Sequence, residues 1–144
     1  MKNRIRKFIK HLILFCIGGA IYTMFEEVTR GRTHWTMFIV GGLCFFLIGA
    51  INEIIPWEMP VWKQCAIGAL IVTTIEFISG CIINLWLKWD VWDYSDMPLN
   101  VMGQICLPFT ILWFFLSLLA IVIDDFIRWK FFGEEKPQYN WGWK

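Results

Sequence analysis

Four long apolar stretches, at about 11–28, 34–51, 61–87 and 104–123, constrain this chain more than any other feature. Each is near the length a helix needs to cross the hydrocarbon core of a bilayer, roughly 20 mostly apolar residues. A hydrophobic share of 58% and a mean hydropathy of +0.55 are too high for an ordinary soluble domain of 144 residues. The expected fold is therefore all-α and integral to the membrane. It is a four-transmembrane-helix bundle in one domain, 1–144, with an outer loop at 88–103 and a tail at 124–144.

The first stretch leads into Glu26 and Glu27 and not into a small-residue cleavage site, so it reads as a span and not as a signal peptide. Lys2, Arg4, Arg6, Lys7 and Lys10 precede it, and Arg128, Lys130, Lys136 and Lys144 follow the last stretch. An even number of spans puts both ends on one side, and the Lys/Arg excess assigns that side to the cytoplasm. The loop at 88–103, with Asp90, Asp93 and Asp96, then faces outward, while Arg30 and Arg32 run against the rule. The alternation of basic and apolar residues over 1–10 suits either an amphipathic lead-in on an anionic leaflet or charges that only enforce topology. The net charge of +1 gives no sign of a nucleic-acid partner.

Small residues, Gly18, Gly19 and Ala20 in the first stretch and Gly41, Gly42, Gly49 and Ala50 in the second, allow close helix approach and predict a hairpin. Asn52, Glu53, Pro56, Trp57, Glu58, Pro60 and Trp62 form an expected interfacial turn at 52–63. Pro108 falls one turn into the fourth stretch, where neighbouring helices can absorb a kink. The tail, ending in Tyr139, Trp141 and Trp143, is expected at the same interface. Cys16, Cys44, Cys65, Cys81 and Cys106 lie in apolar stretches without CxxC spacing, which reads as buried thiols and not as a disulfide or metal set.

The spacing GAxxxxxxExxxG occurs twice, as Gly19-Ala20, Glu27 and Gly31 and as Gly68-Ala69, Glu76 and Gly80. Phe114-Phe115-Leu116 likewise echoes Phe45-Phe46-Leu47. A duplicated helical hairpin, a 2+2 parallel repeat, accounts for both and would bring Glu27 near Glu76.

A carboxylate in hydrocarbon costs several kcal/mol unless it is paired, hydrated or protonated, so Glu76 is the strongest candidate for function. Thr73, Gly80 and Asn84 share its helical face at i−3, i+4 and i+8, a polar seam that must face protein or water. Glu27, His34, Thr73, Thr74 and Asn84 are its candidate neighbours in a site for a proton or cation. The plainer alternative makes Glu76 a tie to Arg30, His34 or a loop tryptophan. The loop carries Trp89, Trp92, Asp93, Tyr94, Asn100 and Gln104 at its end. By default it lies at headgroup depth, and otherwise it folds over the bundle as a lid. Two separated histidines give no metal-protease spacing, and GxSxG, Walker and Rossmann patterns are missing, so no metal, cofactor or catalytic set is expected.

The succession Glu76-Phe-Ile-Ser-Gly80, Trp92-Asp-Tyr-Ser95, Pro98-Leu-Asn100 and Gly103-Gln-Ile-Cys-Leu-Pro108 resembles a bacterial family of small, permease-like membrane proteins described as "Putative ABC-transporter type IV". The resemblance implies multi-pass topology in the bacterial cytoplasmic membrane and a transport association, with any ATPase on a separate chain. Two other classes stay open. One is a non-transporting scaffold or regulatory subunit; the other is a membrane enzyme on lipid or cell-wall intermediates using Glu76, Asp93 and His34. Four helices enclose little volume, so a homo-oligomer or another membrane protein is the expected partner.

Overall fold

The apolar stretches become helices because inside a bilayer the backbone must satisfy its own hydrogen bonds. The computed structural model of the chain describes residues 1–56 and 58–141, and of Asn52 the backbone only. The expectations placed on Trp57, Trp143, Lys144 and the Asn52 side chain lie outside the described residues. Helix α1 runs Lys2–Arg30, α2 Trp35–Gly49, α3 Ile51–Ile54, α4 Val61–Gly80 and α5 Leu107–Phe132, and α4 continues through a π-helical segment, Cys81–Trp86. There is no strand among the described residues, only two isolated bridges.

Three helical runs, Lys2–Arg30, Val61–Trp86 and Leu107–Phe132, are long and apolar enough to cross a membrane. The expected second span is the exception: α2 has 15 residues and covers about 22 Å, short of the roughly 30 Å hydrocarbon core. It is broken at Ala50, and one further turn, α3, follows. Just before the break, Gly49 packs so tightly on α5 that an added Cβ would run into the Asp124 carboxyl group.

Helices α1 and α2 form one hairpin and α4 and α5 the other. At the α1–α2 contact, a Cβ on Gly42 would stand 2.6 Å from the Phe15 carbonyl oxygen, so only glycine permits this backbone approach. The sides facing inward and outward invert the rule for water-soluble proteins. Glu26, Gln64, Glu76, Gln104, Ser117, Asp124, Asp125 and Arg128 are buried, whereas Ile13, Leu43, Leu70, Ile78, Ile111, Phe115 and Leu119 are exposed. An apolar solvent outside favours that arrangement.

The start of α1 and the end of α5 lie at one end of the bundle, where Lys10 Nζ donates to Glu134 Oε1 at 3.2 Å. Several sequence expectations are corrected here. The basic N-terminal residues belong to α1, which runs without a break over 29 residues, about 44 Å. Pro108 needs no kink, because α5 starts at Leu107 and the ring sits in its first turn. Cys16 is exposed, while Cys44, Cys65 and Cys106 are buried; all five thiols are free. The tail beyond Gly133 turns back onto the connection before α4: Val61 N–H donates to Asn140 O at 2.7 Å and Tyr139 Oη to Asp125 Oδ2 at 2.8 Å.

The two copies of the GAxxxxxxExxxG spacing are used differently. Gly31 ends α1 with φ 68° and open space around it. Gly80 sits inside a continuing helix, 2.5 Å from Gln104 Oε1 if a Cβ is added.

Candidate functional site

Glu76 stands in the half of the bundle nearer the 88–103 loop and is 5% exposed. Tyr94 Oη donates to its Oε2 at 3.3 Å, a long bond, and its Oε1 is buried without a hydrogen-bond partner. The indole Nε1 of Trp113 approaches the carboxylate without reaching hydrogen-bonding geometry. Aromatic rings enclose this position: Tyr22 and Trp113 have centroids 6.0 Å apart, Trp113 and Phe109 6.1 Å, and Tyr94 stacks on Phe109 at 4.7 Å. Burial, followed by the nearby Glu76 carboxylate, pushes the Tyr94 phenol well above its ordinary range, so it acts as a donor and not as a charge.

The seam on α4 faces protein along its length. Thr73 pairs with Thr110 of α5 at 3.1 Å. Asn84 lies in the π segment, where the Leu87 N–H reaches back five residues to Ile82 O. Its Nδ2 donates to Gln104 Oε1 at 2.8 Å, and its Oδ1 accepts from Val91 N–H at 2.8 Å. Gln104 in turn donates to Met102 O, and its own carbonyl accepts from Trp92 Nε1 at 3.0 Å.

These bonds draw part of the loop onto the bundle. Val91 and Trp92 are buried at 5% and 3% exposure, and the loop is folded over the bundle. Asn100 holds its far side, donating to Met97 O and accepting from Gly103 N–H. Arg30 and Arg32 clamp its near side, reaching Val91 O at 3.3 and 3.0 Å. Trp89 remains partly exposed against His34, with ring centroids 5.8 Å apart. Asp93 is exposed and engaged only with Ser95, whose hydroxyl and backbone N–H hold its carboxylate below the ordinary range.

The carboxylate near Glu76 on α1 is not Glu27, which is exposed, but Glu26, which is 6% exposed. Glu26 pairs with Arg30 at 2.9 Å and lies beside the Tyr22 phenol. A sequence signal existed: Leu14, Gly18, Tyr22, Glu26 and Arg30 form one i, i+4 row, and Glu27 is off it. His34 caps α2, its Nδ1 accepting from Thr36 N–H at 3.3 Å, and does not join Glu76. Thr74 is exposed and bonded to Leu70 O. Glu76, Asp93 and His34 therefore sit in three separate surroundings.

A cavity of about 200 Å³ opens beside Glu76, between α1, α2, α4 and α5. Tyr22, Trp92 and Trp113 supply rings to its wall, Val72 and Met37 aliphatic bulk, and Glu76 its one charged side chain. Such a space can hold a proton on the carboxylate or a cation against it.

The opposite end holds a second polar cluster that sequence reasoning missed. Arg128, 4% exposed, donates from Nε to Asp124 Oδ2 at 2.8 Å and also pairs with Glu53 and Glu134, while Lys10 bridges the last two. The i, i+4 spacing of Asp124 and Arg128 was visible, but Arg128 was counted among the topology charges. No metal-holding group of three His, Cys, Asp or Glu occurs among the described residues.

No solved structure matches the chain. Residues 9–139, nearly the whole length, match the family described as "Putative ABC-transporter type IV", and the match spans Glu76 and the loop that caps it. This chain is a member of that family, a helical membrane protein of permease type.

Proposed function

We propose that the protein is a permease-like component of the bacterial cytoplasmic membrane in which Glu76 binds a proton, a small cation or a cationic solute on its way through the bundle. One observation carries this reading: Glu76 lines a cavity, and its Oε1 is buried without a hydrogen-bond partner. A carboxylate kept in that state is balanced by a proton or by a cation.

In this reading α2 and α3 together complete a fourth span, and both termini are cytoplasmic, following the basic residues of α1 and α5. Arg30 and Arg32, which run against that orientation, are committed to the loop carbonyls. The protein itself is not an enzyme; an ATPase, where energy is needed, is a separate subunit, and a larger assembly supplies the volume that four helices lack.

The competing reading is a non-transporting scaffold or regulatory subunit. It is favoured by the Tyr94–Glu76 bond, which by itself ties the loop to α4. Proteoliposomes containing the purified chain decide between them. Transport predicts an ion or proton flux that Glu76→Gln lowers at least tenfold while helicity and assembly are kept. Absence of flux, with Glu76→Gln leaving the cellular phenotype intact, defeats transport and leaves the scaffold.

A further inference from the structure

The geometry points to a hydrophobic monoammonium ion, one aromatic ring or a short alkyl body carrying a single cationic nitrogen, as the solute held beside Glu76. This rests on the permease-like reading above and specifies its ligand. The size follows from the cavity. An apolar cavity of roughly 150 Å³ accommodates benzene, so about 200 Å³ has room for one ring with a short arm.

The chemistry follows from the wall. Glu76 is its one charged residue, with one carboxylate oxygen held by Tyr94 and the other buried without a hydrogen-bond partner. A metal cation such as Ca²⁺ replaces its water with six to eight oxygens, and this wall has few to offer. Of the other hydroxyls on the wall, Ser117 already donates to Trp113 O at 2.6 Å and the Tyr22 phenol lies beside Glu26. An ammonium needs one carboxylate, and ring faces satisfy its remaining charge within about 6 Å. Tyr22, Trp92 and Trp113 are aromatic residues of this wall.

Access is from the bilayer. Ile21 of α1 and Leu119 of α5 both line the cavity and are exposed, and α1 touches α5 far less than it touches α2. The seam between α1 and α5 therefore opens on the apolar outer surface, a route suited to a ligand with an apolar body.

Calorimetric titration of the full chain in nanodiscs, with phenethylammonium, 2-phenylethanol and Na⁺ as probes, tests this. Phenethylammonium should bind saturably, at least tenfold tighter than the uncharged alcohol, and Glu76→Gln should weaken it at least tenfold. Ala120→Phe fills the cavity and leaves the carboxylate in place, so it should weaken phenethylammonium as strongly. It also carries the test if Glu76→Gln fails to fold. Equal binding of amine and alcohol, or indifference to both variants, overturns the inference and marks the cavity as a berth for a lipid chain. If Glu76-dependent proton or Na⁺ flux is present but phenethylammonium does not bind, the inference falls and the permease reading stands. If neither flux nor amine binding is found, both fall.

Discussion

Asn84→Ala should release the loop from α4, and the size of the effect can be worked from the structure. The side chain makes two bonds of 2.8 Å, one to Gln104 Oε1 and one from Val91 N–H. Both partners belong to buried residues, 3% and 5% exposed, so truncation strands an acceptor and a donor. Each stranded group costs about 1–3 kcal/mol. The lower part of that range applies, because an unfolded chain in lipid finds substitute partners, and the sum is then about 2 kcal/mol. Amide exchange of Val91 reads this locally, since opening the loop exposes that N–H. A loss of 2 kcal/mol corresponds to about 30-fold faster exchange. Helix α1 amides such as Leu14, far from the loop, should be unchanged. Val91 exchange within threefold of wild type would refute the claim that Asn84 holds the loop closed.

Glu26→Gln should lower stability by about 1–2 kcal/mol, because it breaks a charge-assisted bond to Arg30, whereas Glu27→Gln should change it by less than about 0.5 kcal/mol; unfolding in mixed micelles separates the two. Arg128→Ala should be the more damaging change at the other end, at about 3–5 kcal/mol, because it leaves Asp124 and Glu53 without their shared cation. The same unfolding series checks it. The turn at 93–95 should loosen in acid. Its carboxylate is held below the ordinary range, so its stabilising contribution is complete above the unfolded aspartate value of about 3.9. That contribution is lost as pH falls through the lower folded value. Ser95 amide exchange should rise in that window, and Asp93→Asn should remove the pH dependence.

The helical class, the helical pairing and the burial of Glu76 were legible in the chain alone, because each depends on a local property. Hydropathy over some twenty residues commits a segment to lipid wherever its neighbours are, and a glutamate inside such a segment stands out without knowledge of its partners. The choice between Glu26 and Glu27 was a different kind of question. Adjacent residues on a helix point about 100° apart, and which one turns inward is set by the packing of Gly18 and Gly19 on α2. The spacing shared by Glu27 and Glu76 suggested the wrong one, since equal sequence spacing does not guarantee an equal rotational phase.

The loop marks the same division. Its tryptophans and aspartates suited the bilayer surface as well as they suited a lid, because composition records what a side chain can do and not which carbonyl it meets. Asn84, Gln104, Arg30 and Arg32 reach across intervals of as many as 61 residues to hold Val91 and Trp92 inside. Arg128 was likewise a tail charge until α5 brought it under Glu53. What the sequence determined by itself was the solvent, through hydropathy, and the buried acid that solvent makes costly. Only the tertiary structure decided which groups surround that acid, because long-range hydrogen bonds and helix rotation depend on pairs of residues that no single stretch contains.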